Sequence, residues 1–211
     1  MIPAATRLLP ALLLGLAATA SAQTTSPPGN PSTSPATNPP ASSAARSAAA
    51  PKGAMDQSAA LGVLSAINHA EIDAGKLAQD KAKSGPVREY AARMVKEHTQ
   101  NDTQAQTWKP DPDAAPARAQ KAKGQAELKQ LSALDGDAFE RAYVQAMVKD
   151  HTEALRMLDQ KLIPAAEQAP VRAFLKETRA HVADHLAAAQ RLQDGKKSAG
   201  QKADAAGHDG H

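Results

Sequence analysis

The chain contains no cysteine, and only five of its 211 residues are aromatic: one Trp, two Tyr and two Phe. Without cysteine there is no disulfide, no thiol nucleophile and no thiolate metal site, so the fold relies on its own core. With aromatics at 2 % and hydrophobic residues at 42 %, Ala and Leu supply most of the apolar content. That balance suits packed helices, because strands favour aromatic and β-branched side chains. No charge of one sign dominates, and the net charge is only +3. Basic residues cluster once, at Arg118, Lys121, Lys123 and Lys129, with Glu127 among them. A nucleic-acid surface needs a denser basic face and stacking aromatics, so no nucleic acid is expected. The cluster reads as a solvated helix face. An anionic surface or an envelope-associated protein is the alternative partner class. A Gly-rich phosphate loop and a Gly-x-Ser-x-Gly elbow are both missing.

The only long apolar run is LLPALLLGLAATA, after a single arginine in MIPAATR. It is too short to span a bilayer and ends in Ala20-Ser21-Ala22, with small residues at the −3 and −1 positions. Residues 1–22 therefore read as a secretory signal peptide cut after Ala22, which makes the expected location periplasmic or secreted. Residues 23–54 are rich in Pro, Ser, Thr and Ala and read as a disordered linker. Residues 195–211 read as a disordered tail. The folded domain is expected over 55–194.

Within that domain the punctuation is helical. Asp56 is a candidate N-cap for a first helix ending before Ser84-Gly85-Pro86. Pro86 suits the start of a second, which halts before Pro110. A shorter helix is expected over 117–131. Asp137 and Glu140 resemble a capping box opening a third main helix that ends near Ile163. Pro170 opens a fourth, expected to stop at Gly195. Apolar residues recur at three- and four-residue spacing through all four, so the expected fold is all-α, an antiparallel four-helix bundle.

One phrase occurs twice, MVKEHT at 94–99 and MVKDHT at 147–152. A weaker echo joins PVREY at 86–90 to PVRAF at 170–174. His98 and His151 each stand four residues after a core methionine, on the same apolar stripe. Glu71 lies on the inner stripe of the first helix, and His181 and His185 are four apart on the last. Four helices thus project Glu71, His98, His151, His181 and His185 inward. Two readings follow. One is a buried hydrogen-bonded network that fixes helix register; the other is a site for a divalent transition metal.

The ordered series Glu71-Ile72, Gly75 to Ala78, Met94-Val95, Glu97-His98, Phe139 to Tyr143, Met147-Val148, Asp150-His151 and His185-Leu186 resembles the domain-of-unknown-function family 4142. Its members are exported bacterial proteins grouped with ferritin-like folds. The resemblance spans about 56–193 and implies a ferritin-like bundle, with no activity attached. The chain departs from the ferritin-like di-iron pattern, which uses Glu-x-x-His on two helices. Three residues before His98, His151, His181 and His185 stand Val95, Val148, Thr178 and Val182. A carboxylate-bridged di-iron centre is thereby disfavoured. The sequence favours an exported, non-catalytic envelope or stress-related module over an enzyme, and carries a His-rich metal-binding or redox protein as its alternative.

Overall fold

In a computed structural model of the chain, residues 55–206 are described. The signal segment and linker read at 1–54, and the end of the tail at 207–211, lie outside the described residues. The elements are α1 (Gln57–Lys81), α2 (Gly85–Gln106), α3 (Ala115–Ser132), α4 (Gly136–Met157), a π-helical turn (Leu158–Leu162), a single turn α5 (Ile163–Ala165) and α6 (Ala169–Ala206). The described residues form an all-helical bundle, as expected.

Asp56 caps α1, its carboxylate accepting from the Ala59 amide at 2.8 Å. Two expected boundaries differ. The α4 cap is Asp135, and Glu140 does not close a capping box with Asp137. Its carboxylate instead accepts from the Lys83 and Ser84 amides at 2.6 and 2.7 Å, just ahead of α2. At the last helix, Gly195 lies inside α6, which continues to Ala206. A single glycine costs a helix only about 1 kcal/mol. Lys196, one residue on, pairs with Glu140 and ties this part of α6 to α4.

The core has two apolar clusters, and their membership fixes the direction of each helix. The first holds the early part of α1 (Ala60 to Ile67), the end of α2 (Ala105), the end of α4 with the π turn (Ala154, Leu158, Leu162) and the early part of α6 (Val171 to Val182). The second holds late α1, early α2, early α4 and Ala189 of α6. Hence α1 and α6 run one way, and α2 and α4 the other. The packed neighbours α1/α2, α1/α4, α4/α6 and α2/α6 are all antiparallel. Because α2 and α4 are parallel, the chain must return between them. It does so as α3, which packs on α1 and runs from Ala117 in the first cluster to Leu131 in the second. One such crossover is the topology of ferritin-like bundles.

Gly62 permits a close approach outside this ring. A Cβ there would lie 2.0 Å from the Asp111 carbonyl oxygen, in the loop that leads into α3. The Asp111 amide donates to the Ser58 carbonyl at 2.9 Å, so that loop is fastened to α1.

The PVR echo marks a repeated structural device. Val87 and Val171 are fully buried. Arg88 donates to the Ala82 carbonyl, and Arg172 donates to the Ala166 carbonyl, each reaching back six residues. The two residues just before each helix have their amides accepted by a distant side chain. Glu140 serves α2, and Gln57 serves α6 through Glu167 and Gln168 at 3.0 and 2.9 Å. The α1–α2 and α4–α6 hairpins are thus related halves.

Candidate metal centre

Between the two apolar clusters lies one polar layer, set by register. Asn68 and Glu71 separate Ile67 from Ala74 on α1, and His98 and Asn101 separate Met94 from Ala105 on α2. His151 separates Met147 from Ala154 on α4, and His185 separates Val182 from Ala189 on α6. The repeated hexamer therefore serves parallel helices, placing one histidine at the same depth from each. Its threonines behave alike too: Thr99 and Thr152 donate to the Val95 and Val148 carbonyls at 2.6 and 2.7 Å.

His98, His151 and His185 are buried at 5, 1 and 2 % exposure, so solvent cannot satisfy their nitrogens. Their ring centroids are 5.2–5.9 Å apart, and one ring nitrogen from each lies within 4.8 Å of the others. Each ring uses one nitrogen in a hydrogen bond. His98 Nδ1 meets Asn68 Oδ1 at 2.9 Å, His151 Nδ1 meets the Met147 carbonyl at 2.7 Å, and His185 Nε2 meets Glu97 Oε2 at 2.6 Å. All three partners are acceptors. The Asn68 amide is oriented by its own chain, since Asn68 Nδ2 donates to Asn101 Oδ1 and Asn101 Nδ2 donates to Thr178 Oγ1. The proton therefore sits on the bonded nitrogen of every ring, and the opposite nitrogen carries a lone pair.

Those lone-pair nitrogens, His98 Nε2, His151 Nε2 and His185 Nδ1, are buried and have no partner. Three buried acceptors without a donor, on rings packed together, are costly. Burial also keeps the rings neutral. It pushes His98 well below the usual histidine range, helped by His151 and His185, and pushes His151 down to about 4. It lowers His185 as well, against the opposing effect of the hydrogen bond that its ring donates to Glu97. Burial would raise Glu97, but bonds from Arg93 and His185 outweigh it and hold that carboxyl low. Neutral imidazoles whose N–H groups are anchored to carbonyl or carboxylate oxygens are the arrangement that orients metal ligands. A cavity of about 20 Å³ borders the His98 and His185 rings. That volume admits one water-sized occupant.

The two remaining candidates fall elsewhere. Glu71 is buried, with Oε1 3.9 Å from His151 Nδ1 and Oε2 unpartnered. It approaches the bonded side of that ring, away from its lone pair. Burial, with Asp150 and Glu127 nearby, raises its carboxyl well above the usual range. His181 is exposed, one turn before His185, and stays outside the cluster. Val182 and Thr178 take the inner face of α6 there. His69 is also exposed, 3.1 Å from Asp102.

One contributor, Glu97, had no sequence signal that set it apart. Glu97 carries the same carboxylate group in the hexamer as its counterpart Asp150, on a side chain one methylene longer, yet only Glu97 bonds to a ring. Asp150 faces Lys123 at 3.2 Å. Lys123 also reaches Glu153 at 2.6 Å, so one member of the expected basic cluster is tied to α4 by ion pairs.

No helix among the described residues is long and apolar enough to cross a membrane. The chain matches no curated protein and no solved structure. The family model described as a domain of unknown function, DUF4142, matches residues 42–192, which include the whole polar layer and both halves of the bundle, and the chain belongs to that family.

Proposed function

We propose that the protein binds one divalent transition-metal ion through His98, His151 and His185. The observation that carries this is the set of three buried, unpartnered lone-pair nitrogens, each on a neutral ring whose other nitrogen is anchored. All-imidazole donors suit zinc, copper, iron or cobalt and disfavour calcium and magnesium. Three protein donors leave a coordination position for water or a small anion. Glu71 and His181 are outside this donor set. The export signal read at residues 1–22 would put the centre in a bacterial periplasm.

Elemental analysis of the purified full-length chain tests this. One equivalent of metal per chain is expected, and it should vanish in His98→Gln and His151→Gln. A chain that stays metal-free after growth with iron, copper, zinc and manganese, and takes up none on reconstitution, overturns the proposal.

A second reading is a non-catalytic helical module acting through its surface. It is favoured by the bonds that cross-link helices, Asn68 to His98 and Glu97 to His185. Under it, the same variants only melt earlier and no metal is involved.

A further inference from the structure

Of the three rings, only His98 has a tautomer that its partner could reverse. His151 Nδ1 faces the Met147 carbonyl and His185 Nε2 faces the Glu97 carboxylate, and both groups can only accept. His98 Nδ1 faces the side-chain amide of Asn68, which carries an oxygen and an NH2 in nearly interchangeable places. With that amide turned over, its NH2 would donate to Nδ1 and the ring's single proton would move to Nε2. His98 would stay neutral and buried, yet the lone pair on Nε2 would be gone. Nε2 has no partner of its own to oppose the change.

The Asn68 amide is held in place by a relay that reaches the last helix. Asn68 Nδ2 donates to Asn101 Oδ1 at 2.9 Å, and Asn101 Nδ2 donates to Thr178 Oγ1 at 2.7 Å. Each amide is thus oriented by the next group along. Asn68 and Thr178 are 1 and 4 % exposed, so bulk water does not compete at either end.

The two amides also stand where the other hairpin places ligands. Asn68 follows Gln57 at the interval at which His151 follows Glu140, and Asn101 follows Ser84 as His185 follows Gln168. Gln57 and Glu140 do matching work at the two helix starts, accepting from Gln168 and Ser84. The first hairpin therefore carries two bonded amides where the second carries two of the three rings.

Resting on the three-histidine reading, we propose that Asn68, Asn101 and Thr178 are positioning residues that fix the proton of His98 on Nδ1 and so keep Nε2 free for the ion. They act through the ring and do not ligate. The last helix then serves the centre twice, through His185 directly and through Thr178 by way of α2 and α1.

Nitrogen-15 NMR of the metal-free full-length chain, labelled at histidine, reads the tautomer of His98 with no ion present, and titration with cobalt(II) reads affinity. The unaltered chain should carry the proton on Nδ1. Asn101→Leu leaves the Asn68 NH2 without its acceptor. It should move a measurable share of the proton to Nε2 and weaken cobalt binding about 10- to 100-fold, the usual cost of losing such an outer partner. Thr178→Val, close to threonine in shape, should act in the same direction and carries the test if the leucine variant does not fold. Asn101→Asp offers Asn68 only acceptor oxygens, so it should keep the proton on Nδ1 and bind cobalt at least as tightly as the unaltered chain. A proton on Nε2 in the unaltered metal-free chain overturns the relay. So does weakened binding with the tautomer unchanged, which would make these residues structural alone. Unaltered tautomer and affinity in Asn101→Leu and Thr178→Val overturn the relay and leave the centre standing. Tautomers that shift as expected in a chain that takes up no cobalt remove the centre and leave the relay as what sets the His98 proton.

Discussion

His151 and Glu71 are buried titratable neighbours whose effects on stability oppose each other. His151 titrates near 6.5 unfolded and is pushed down to about 4 when folded. Between those values the unfolded chain binds more protons, so stability rises with pH through this window and is lost on acidification. The difference corresponds to at most about 3 kcal/mol. Glu71 behaves in reverse. Its folded carboxyl is raised well above 4.5, so the folded state binds more protons, and its contribution falls as pH climbs above that value. In metal-free protein, Glu71→Gln should therefore raise the unfolding free energy measured in urea at pH 8, on the order of 1–3 kcal/mol, and leave it unchanged at pH 4. An equal shift at both pH values would mean that Glu71 is not protonated on folding. Residue spacing explains what was readable here. His98, His151 and His185 sit on the helix stripes that carry core methionine, valine and alanine, so periodicity alone aims them inward. His181 shares the four-residue spacing, but four residues advance 400° at 100° each, a 40° offset from a full turn. With Thr178, Val182 and Ala189 at the centre of the buried face of α6, that offset leaves His181 on the flank.

At the scale of elements, Glu140 shows how a helix start can depend on a residue distant in sequence. Its carboxylate is almost fully buried, accepts two amides ahead of α2 and pairs with Lys196 of α6. Glu140→Ala should cost about 2–3 kcal/mol in denaturant unfolding, because it strands two backbone donors and a cation. Glu140→Gln keeps an acceptor for the amides and should lose less. An alanine variant of wild-type stability would show that water replaces the carboxylate. Existence and order of the helices were legible because Pro86, Pro110, Asp56 and Asp135-Gly136 act through local backbone rules. Glu140 was misassigned because capping is judged from residues nearby in sequence, whereas its partners are on another helix. Gly195 misled for a related reason. It can end a helix, yet nothing local shows that the next residue, Lys196, has a partner across the bundle.

For the whole molecule, an ion that binds only the folded state raises stability by mass action. At free metal a hundredfold above its Kd, the gain should be about 2.7 kcal/mol. Thermal unfolding of the stripped chain with rising zinc or cobalt should show a midpoint that climbs with concentration. A midpoint indifferent to added metal would oppose the centre. Such linkage is expected to be strong because the unfolded chain holds no preformed site.

The three buried rings come from α2, α4 and α6, on segments well separated along the chain, and α1 sends the layer only Asn68 and Glu71. They meet only after the second hairpin has closed on the first across the α3 crossover. A nascent or nicked chain missing α6 would retain two imidazoles on parallel helices and little grip on a cation. Occupancy would thus act as a certificate of completed assembly, given only to a chain whose last helix has docked.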